Sequence, residues 1–154
     1  MIAMTPLWSA ITKAYAESIY AWIRKLRKIL GVAFVCFVVL QVALVPFLPT
    51  LFDLWLGAEA PVIDYKAVWC FIAYGVIFTW VAIQSTFASG FGKLRVQLIT
   101  YILAVVIKVV GISLFAPLIG SWTFVVLMTI VGLMPFCISQ PIATNRELIV
   151  KEHI

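Results

Sequence analysis

Apolar residues fill four long stretches of this 154-residue chain, at 29–52, 67–90, 96–116 and 121–143. The first, second and fourth contain no Asp, Glu, Lys or Arg, and the third contains only Lys108. A helix needs about 20 mostly apolar residues to cross about 30 Å of hydrocarbon, and each stretch is long enough. The pattern therefore predicts four transmembrane helices. Ahead of them, residues 5–28 show a different period. Trp8, Ile11, Tyr15, Ile19, Trp22, Leu26 and Ile29 recur every three or four positions, which makes one apolar stripe on an amphipathic helix. Thr5 is a suitable N-cap and Pro6 suits the first helical position. With Lys13, Arg24, Lys25, Arg27 and Lys28 at headgroup level, this segment reads as a helix in the cytoplasmic interface. A cytoplasmic helix packed on the bundle would carry the same stripe. The expected fold is all-α and polytopic: one membrane domain, an interfacial amphipathic helix followed by four transmembrane helices.

Punctuation marks the ends of the spans. Pro46 and Pro49 kink or terminate the first, and Trp55-Leu56-Gly57 combines an interfacial anchor with a helix stop. Gly90-Phe91-Gly92 should break the second span before Lys93, and residues 117–120 should turn the third into the fourth. Pro135 and Pro141 are expected to bend or loosen the far half of the fourth. Ala82, Ser85 and Ser89 would let the second span approach a neighbour closely. The first span follows an amphipathic segment rather than a short basic one, so no cleaved signal peptide is expected.

Composition agrees with the pattern. Only 11% of residues are charged, against about 25% in soluble domains, which excludes an ordinary water-soluble fold. The net charge of +5 does not signal nucleic acid, because the cations flank the spans, where a positive excess reports topology. Of the 11 Lys and Arg, only Lys108 and Lys66 fall outside the segments assigned to one side, and Lys66 has Asp53, Glu59 and Asp64 as neighbours. Both termini are expected in the cytoplasm, with Arg24, Lys25, Arg27, Lys28, Lys93 and Arg95 at that membrane surface. Cys36, Cys70 and Cys137 lie inside apolar runs at spacings that match no metal or redox motif, and they read as small buried hydrophobes.

Lys108 is the sharpest chemical signal. A lysine at the centre of a spanning helix costs about 2.5–3.5 kcal/mol and persists where it faces protein or water. Its helical face also carries Gln97, Tyr101, Ala104, Gly111 and Phe115, a polar and small stripe that should point inward. One reading is a cationic site in a transport pathway that holds an anionic group such as a pyrophosphate. The other is a lysine bonded to carbonyls or hydroxyls of adjacent helices. Gln41 and Gln84 either line the same pathway or bond between helices. The spans contain no Asp, Glu or His, which argues against a carboxylate proton-coupling site, and His153 stands alone in the tail. No nucleophile–base pair or carboxylate dyad is legible, so neither an enzyme nor a cofactor or metal is expected.

Residues 5–16, Thr-Pro-Leu-Trp-Ser-Ala-Ile-Thr-Lys-Ala-Tyr-Ala, followed by Trp22-Ile23-Arg24-Lys25, resemble a segment of the bacterial lipid-linked oligosaccharide flippases. These are the O-antigen and exopolysaccharide translocases of the multidrug/oligosaccharidyl-lipid/polysaccharide exporter superfamily. Trp55-Leu56-Gly57 and Gly92-Lys93-Leu94-Arg95-Val96-Gln97 are similar to later landmarks in the same order. The resemblance implies twelve to fourteen helices in two bundles around a cavity. It also implies transport of an undecaprenyl-diphosphate-linked glycan across the bacterial inner membrane. About the last third of such a transporter is represented, so the chain is expected to be its C-terminal part, completed by the missing N-terminal helices or a second membrane subunit. The alternatives are a self-contained four-helix protein acting as a dimeric carrier, and a non-transporting accessory subunit of polysaccharide assembly.

Overall fold

The computed structural model describes residues 4–57, 62–119 and 121–152. Its elements are α1 (Met4–Ala16), α2 (Tyr20–Leu44), a 3-10 turn (Val45–Phe47), α3 (Leu48–Leu56), α4 (Tyr65–Gly90), α5 (Leu94–Ile119) and α6 (Trp122–Glu152), with no strand among the described residues. Four helical stretches are long and apolar enough to cross a membrane: Tyr20–Leu56, Tyr65–Gly90, Leu94–Phe115 and Trp122–Val150. The fold is an all-α, multi-pass membrane bundle with an additional N-terminal helix. The side chains of Thr5 and Lys151, and all of Glu59 and His153, lie outside what the structure describes.

The amphipathic segment is not one helix over 5–28. It breaks at Glu17-Ser18-Ile19, where Ser18 takes φ 58°. The Ser18 amide donates to the Tyr15 carbonyl (3.2 Å) and the Ile19 amide to that of Ala14 (2.8 Å). That pair of bonds is a Schellman cap with serine where glycine is usual. The break resets the helical phase, so the expected apolar stripe splits. Ile11 is buried and Tyr15 and Leu26 are partly so, but Trp8, Ile19, Trp22 and Ile29 are exposed, while Ala14 and Ile23 join the core instead. Residues 20–28 belong to the first spanning stretch and carry its four cations, Arg24, Lys25, Arg27 and Lys28. The same cap recurs after α4, with Gly92 at φ 68°, its amide on the Ser89 carbonyl (3.1 Å) and that of Lys93 on Ala88 (3.0 Å). Here glycine made the turn legible in advance.

The prolines interrupt less than expected. Pro46 sits in the 3-10 turn, where the amides of Val45 and Leu48 bond to Val42 and Val45, three residues back, so the first span tightens and continues to Leu56. It stops at Gly57, φ 58°. Pro117 lies within α5, because its fixed φ is helical and only one donor is lost near the helix end. The turn to α6 therefore falls after Ile119 rather than over 117–120. The helix α6 stays unbroken through Pro135 and Pro141 and runs on well past 143. Pro141 cannot donate to the Cys137 carbonyl, and the Trp80 indole N–H on α4 donates to that oxygen instead (3.4 Å).

Small residues set the helix spacing. A Cβ on Gly132 of α6 would lie 2.7 Å from the Ala104 carbonyl oxygen of α5, and one on Gly111 would lie 2.6 Å from Met128 Sδ. Tyr101 packs on Phe136 (4.8 Å between centroids) and Phe115 on Phe124 (6.4 Å) along the same seam. On α4, Gly90 admits Ile11, whose Cβ is 2.9 Å from where a Cβ would stand, so α1 lies across the end of α4. The main buried cluster gathers there: Ile11, Ala14, Ile23, Ile83, Phe87, Phe91 and Leu148. Elsewhere many apolar side chains point outward, as lipid permits, although Phe136, Val81 and Ile130 are buried between helices. Of the residues in α2, only Ile23 is buried.

Gly132→Ala should lower the melting temperature of the detergent-solubilised protein, an overpacking cost of about 1–3 kcal/mol, because its neighbour is backbone that cannot rotate away. Gly31→Ala, with nothing within 4 Å, should leave it unchanged or raise it by helix propensity alone, about 1 kcal/mol at most. Thermal unfolding of the pair checks both.

Candidate functional site at the basic end

The end of the bundle where α1, the start of α2, the α4–α5 turn and the end of α6 meet holds most of the charge. Glu147 of α6 organises it. Its Oε1 accepts the Tyr15 hydroxyl at 2.7 Å, and its Oε2 lies 3.3 Å from Lys93 Nζ. The Tyr15 ring leans on Phe91 (5.0 Å) and Tyr20 (6.2 Å). Burial, then the hydrogen bond and negative charge of Glu147, push the Tyr15 phenol up to about 12. Arg27 of α2 donates to Asn145 Oδ1 of α6, and its guanidinium stands 6.0 Å from the Phe87 ring centroid.

Two open grooves flank this end of α6. Arg24, Arg27 and Lys28 face Asn145, Leu148 and Ile149 across one of about 290 Å³. Lys93, Val96, Ser139, Ala143 and Arg146 are among the residues around a wider one of about 610 Å³, and the Ser139 hydroxyl is buried without a hydrogen-bond partner. Of the six surface cations expected from sequence, Arg24, Arg27 and Lys28 converge, Lys93 pairs with Glu147, and Lys25 and Arg95 are exposed.

The five pathway candidates within the spans do not converge. Gln97 bridges α5 to α4: its amide nitrogen donates to Ser85 Oγ and its Oε1 accepts from Ser89 Oγ at 3.3 Å, so Gln97 acts as an interhelical bond. Tyr101 packs on Phe136. Gln41 of α2 lies against Gly75 of α4, and its Oε1 is buried without a partner. Gln84 is 1% exposed, also with an unpartnered Oε1. Lys108 is half-buried on the α5 face turned to α6, flanked by Ala104 and Gly111, and has no ion pair or hydrogen bond among the described residues. None of the five lines either groove. Among the described residues, no group of three or more His, Cys, Asp and Glu gathers.

Sequence reasoning missed Thr144, Asn145 and Glu147 because the fourth span was ended at 143, and it missed Gln140 within that span. The signal was present. Phe136, Gln140, Thr144 and Leu148 recur every four residues, and all are buried. Gln84 follows Trp80 by one turn on α4, and Gln140 follows Cys137 by one turn on α6, Trp80 and Cys137 being the two residues joined by the indole bond. Gln140 Nε2 is unpartnered, like Gln84 Oε1.

A raised phenol pKa means that protonated Tyr15 stabilises the fold fully below about pH 10 and loses that contribution as the pH climbs toward about 12. Glu147→Gln should move the Tyr15 titration down, though not back to the ordinary value, since burial remains. Losing the charged acceptor should also destabilise the bundle by about 1.5–3 kcal/mol. Difference absorbance titrations of the phenolate, read against Tyr15→Phe, check the shift.

Comparison of the chain with protein-family models, curated protein sequences and solved structures found no match to any of them.

Proposed function

We propose that this chain is the C-terminal part of a bacterial flippase that moves an undecaprenyl-diphosphate-linked oligosaccharide across the inner membrane for O-antigen or exopolysaccharide synthesis. The observation that carries the reading is Lys108. It sits mid-span on α5, half-buried, with no carboxylate or hydrogen-bond acceptor engaging it among the described residues. A cation at that depth is tolerated where it meets an anion or water. A diphosphate headgroup supplies the missing negative charge. The resemblance of residues 5–16, 55–57 and 92–97 to flippase segments supports the same reading.

In this proposal the basic end faces the cytoplasm, following the positive-inside bias of Lys and Arg. The close α4–α5–α6 group, locked through Gly132 and the Gln97–Ser85 bond, moves as one body in one of two bundles. Further helices or a second membrane subunit would complete the cavity. Rocking of the bundles gives alternating access, and Lys108 lowers the barrier for the diphosphate while the polyprenyl tail stays in lipid. No step breaks or forms a covalent bond, so the protein does not act as an enzyme in this scheme.

The test is Lys108→Ala in the native gene, with surface glycan and membrane protein abundance measured together. Export should fall about tenfold or more at unchanged abundance, and Lys108→Arg should retain a substantial part of it. Normal export by Lys108→Ala overturns the role. Lost abundance assigns Lys108 to packing instead.

A further inference from the structure

We propose that Gln84 of α4 and Gln140 of α6 hold a buried water molecule where α4, α5 and α6 meet. The water accepts from Gln140 Nε2 and donates to Gln84 Oε1, so that it bridges two helices. This rests on how the helices pack, and not on what the protein transports.

Contacts on either side bracket the two residues. The rings of Phe71 and Trp122 lie 5.3 Å apart, the Trp80 indole donates to the Cys137 carbonyl, and Phe87 and Leu148 share one buried cluster. These pairs advance together along both helices, so α4 and α6 run in the same direction. Gln84 falls between Trp80 and Phe87, and Gln140 between Cys137 and Leu148. The third side is α5. Its Gln97 bonds to Ser85, the chain neighbour of Gln84, and its Tyr101 packs on Phe136, one turn before Gln140. Gln84 is thus one turn from a residue that faces α6 and next to one that faces α5. Gln140 is one turn from a residue that faces α5 and one turn from Cys137, whose carbonyl faces α4. Helical period turns both side chains toward the junction, and each residue is 1% exposed.

The unpaired atoms select the ligand. Gln84 Oε1 only accepts and Gln140 Nε2 only donates, and both are buried without a hydrogen-bond partner among the described residues. The amide N–H disfavours a cation and the amide oxygen disfavours an anion. A neutral group that donates and accepts at once satisfies both. Enclosure selects its size: neither residue lines either groove, so the smallest such molecule, water, fits best. Buried waters typically make about three hydrogen bonds to groups of this kind. Thr144 is suited to be the third partner. It is 3% exposed, and its hydroxyl donates to the Gln140 carbonyl (2.9 Å) while its lone pairs remain as acceptors. Lipid supplies no water to helix seams, so these groups are satisfied from within. Gln97 serves as an internal control. Both ends of its amide are engaged, by Ser85 and Ser89, and it needs no water.

The experiment is NMR of the detergent-purified full chain, deuterated except for isotopically labelled glutamine, reading rotating-frame Overhauser transfer from water to the side-chain amides. Single substitutions assign the signals of Gln41, Gln84, Gln97 and Gln140. The Gln140 amide should receive transfer from a long-lived water, and the Gln97 amide should receive none. Gln84→Leu removes one partner of the water, and the Gln140 transfer should then lose most of its intensity. Thermal unfolding gives a second reading. Gln84→Leu and Gln140→Leu should each lower the melting temperature, and the double variant should lose less than the two losses added, because an apolar pair strands no polar partner. No transfer to Gln140 in the wild type would mean a dry seam. Equal transfer to Gln97 would mean general hydration of the bundle. Unchanged Gln140 transfer in Gln84→Leu would mean a water that Gln84 does not hold. Each of these three results overturns the proposal, and the wild-type comparison of Gln140 with Gln97 decides it even if a variant fails to fold.

Discussion

Proline has no amide hydrogen, so Pro141 deprives the Cys137 carbonyl of its helical donor, and in hydrocarbon no water takes its place. Trp80 of α4 supplies the donor from a neighbouring helix. Because that carbonyl is satisfied, α6 continues as helix to Glu152 instead of ending in mid-membrane. The basic end depends on this continuation. Leu148 joins the buried cluster under α1, Asn145 takes Arg27, and Glu147 holds both Tyr15 and Lys93. The same bond ties α4 to α6.

Two physical regimes divide the molecule. Through the spans, packing is thin and backbone-close: Gly132 lies on the Ala104 carbonyl, Gly111 under Met128, and Gln41 over Gly75. Apolar burial contributes little between helices already in lipid, so close approach and interhelical bonds such as that of Gln97 hold them together. At the basic end the packing resembles that of a soluble core, with Phe87 and Phe91 enclosed by Ile11 and Ile23 and ion pairs around the rim. The grooves open at this rim. Lys108 lies apart from them, in the thin region, with no counter-charge paired to it among the described residues.

This division bears on how charge is used. Most cations at the rim are exposed, with Arg27 partly buried. Lys108 is deep, where the same charge is worth several kcal/mol of either cost or attraction, according to what faces it.

Hydropathy made four spans legible from residue order alone, because lipid is the partner for most side chains and its chemistry does not depend on the fold. Gly57 and Gly92 were legible as stops, since glycine takes positive φ freely. The inward stripe of Ala104, Lys108 and Gly111 followed from helical period and the cost of polarity in lipid. What the order of residues could not decide lies where distant segments compete. Ser18 adopts a left-handed conformation that serine does not favour, and the turn persists because it lets Ile11 and Ala14 on one side and Ile23 on the other enter a single core. The helix carrying Asn145 and Glu147 extends past two prolines because Trp80, far away in sequence, repairs one of the breaks. Tyr15 and Glu147 meet across 132 residues. Local pattern favours a continuous helix through Ser18 and a stop at Pro141, and tertiary contacts, which bury Ile11, Ala14 and Ile23 and supply a donor to the Cys137 carbonyl, decide the opposite in each case.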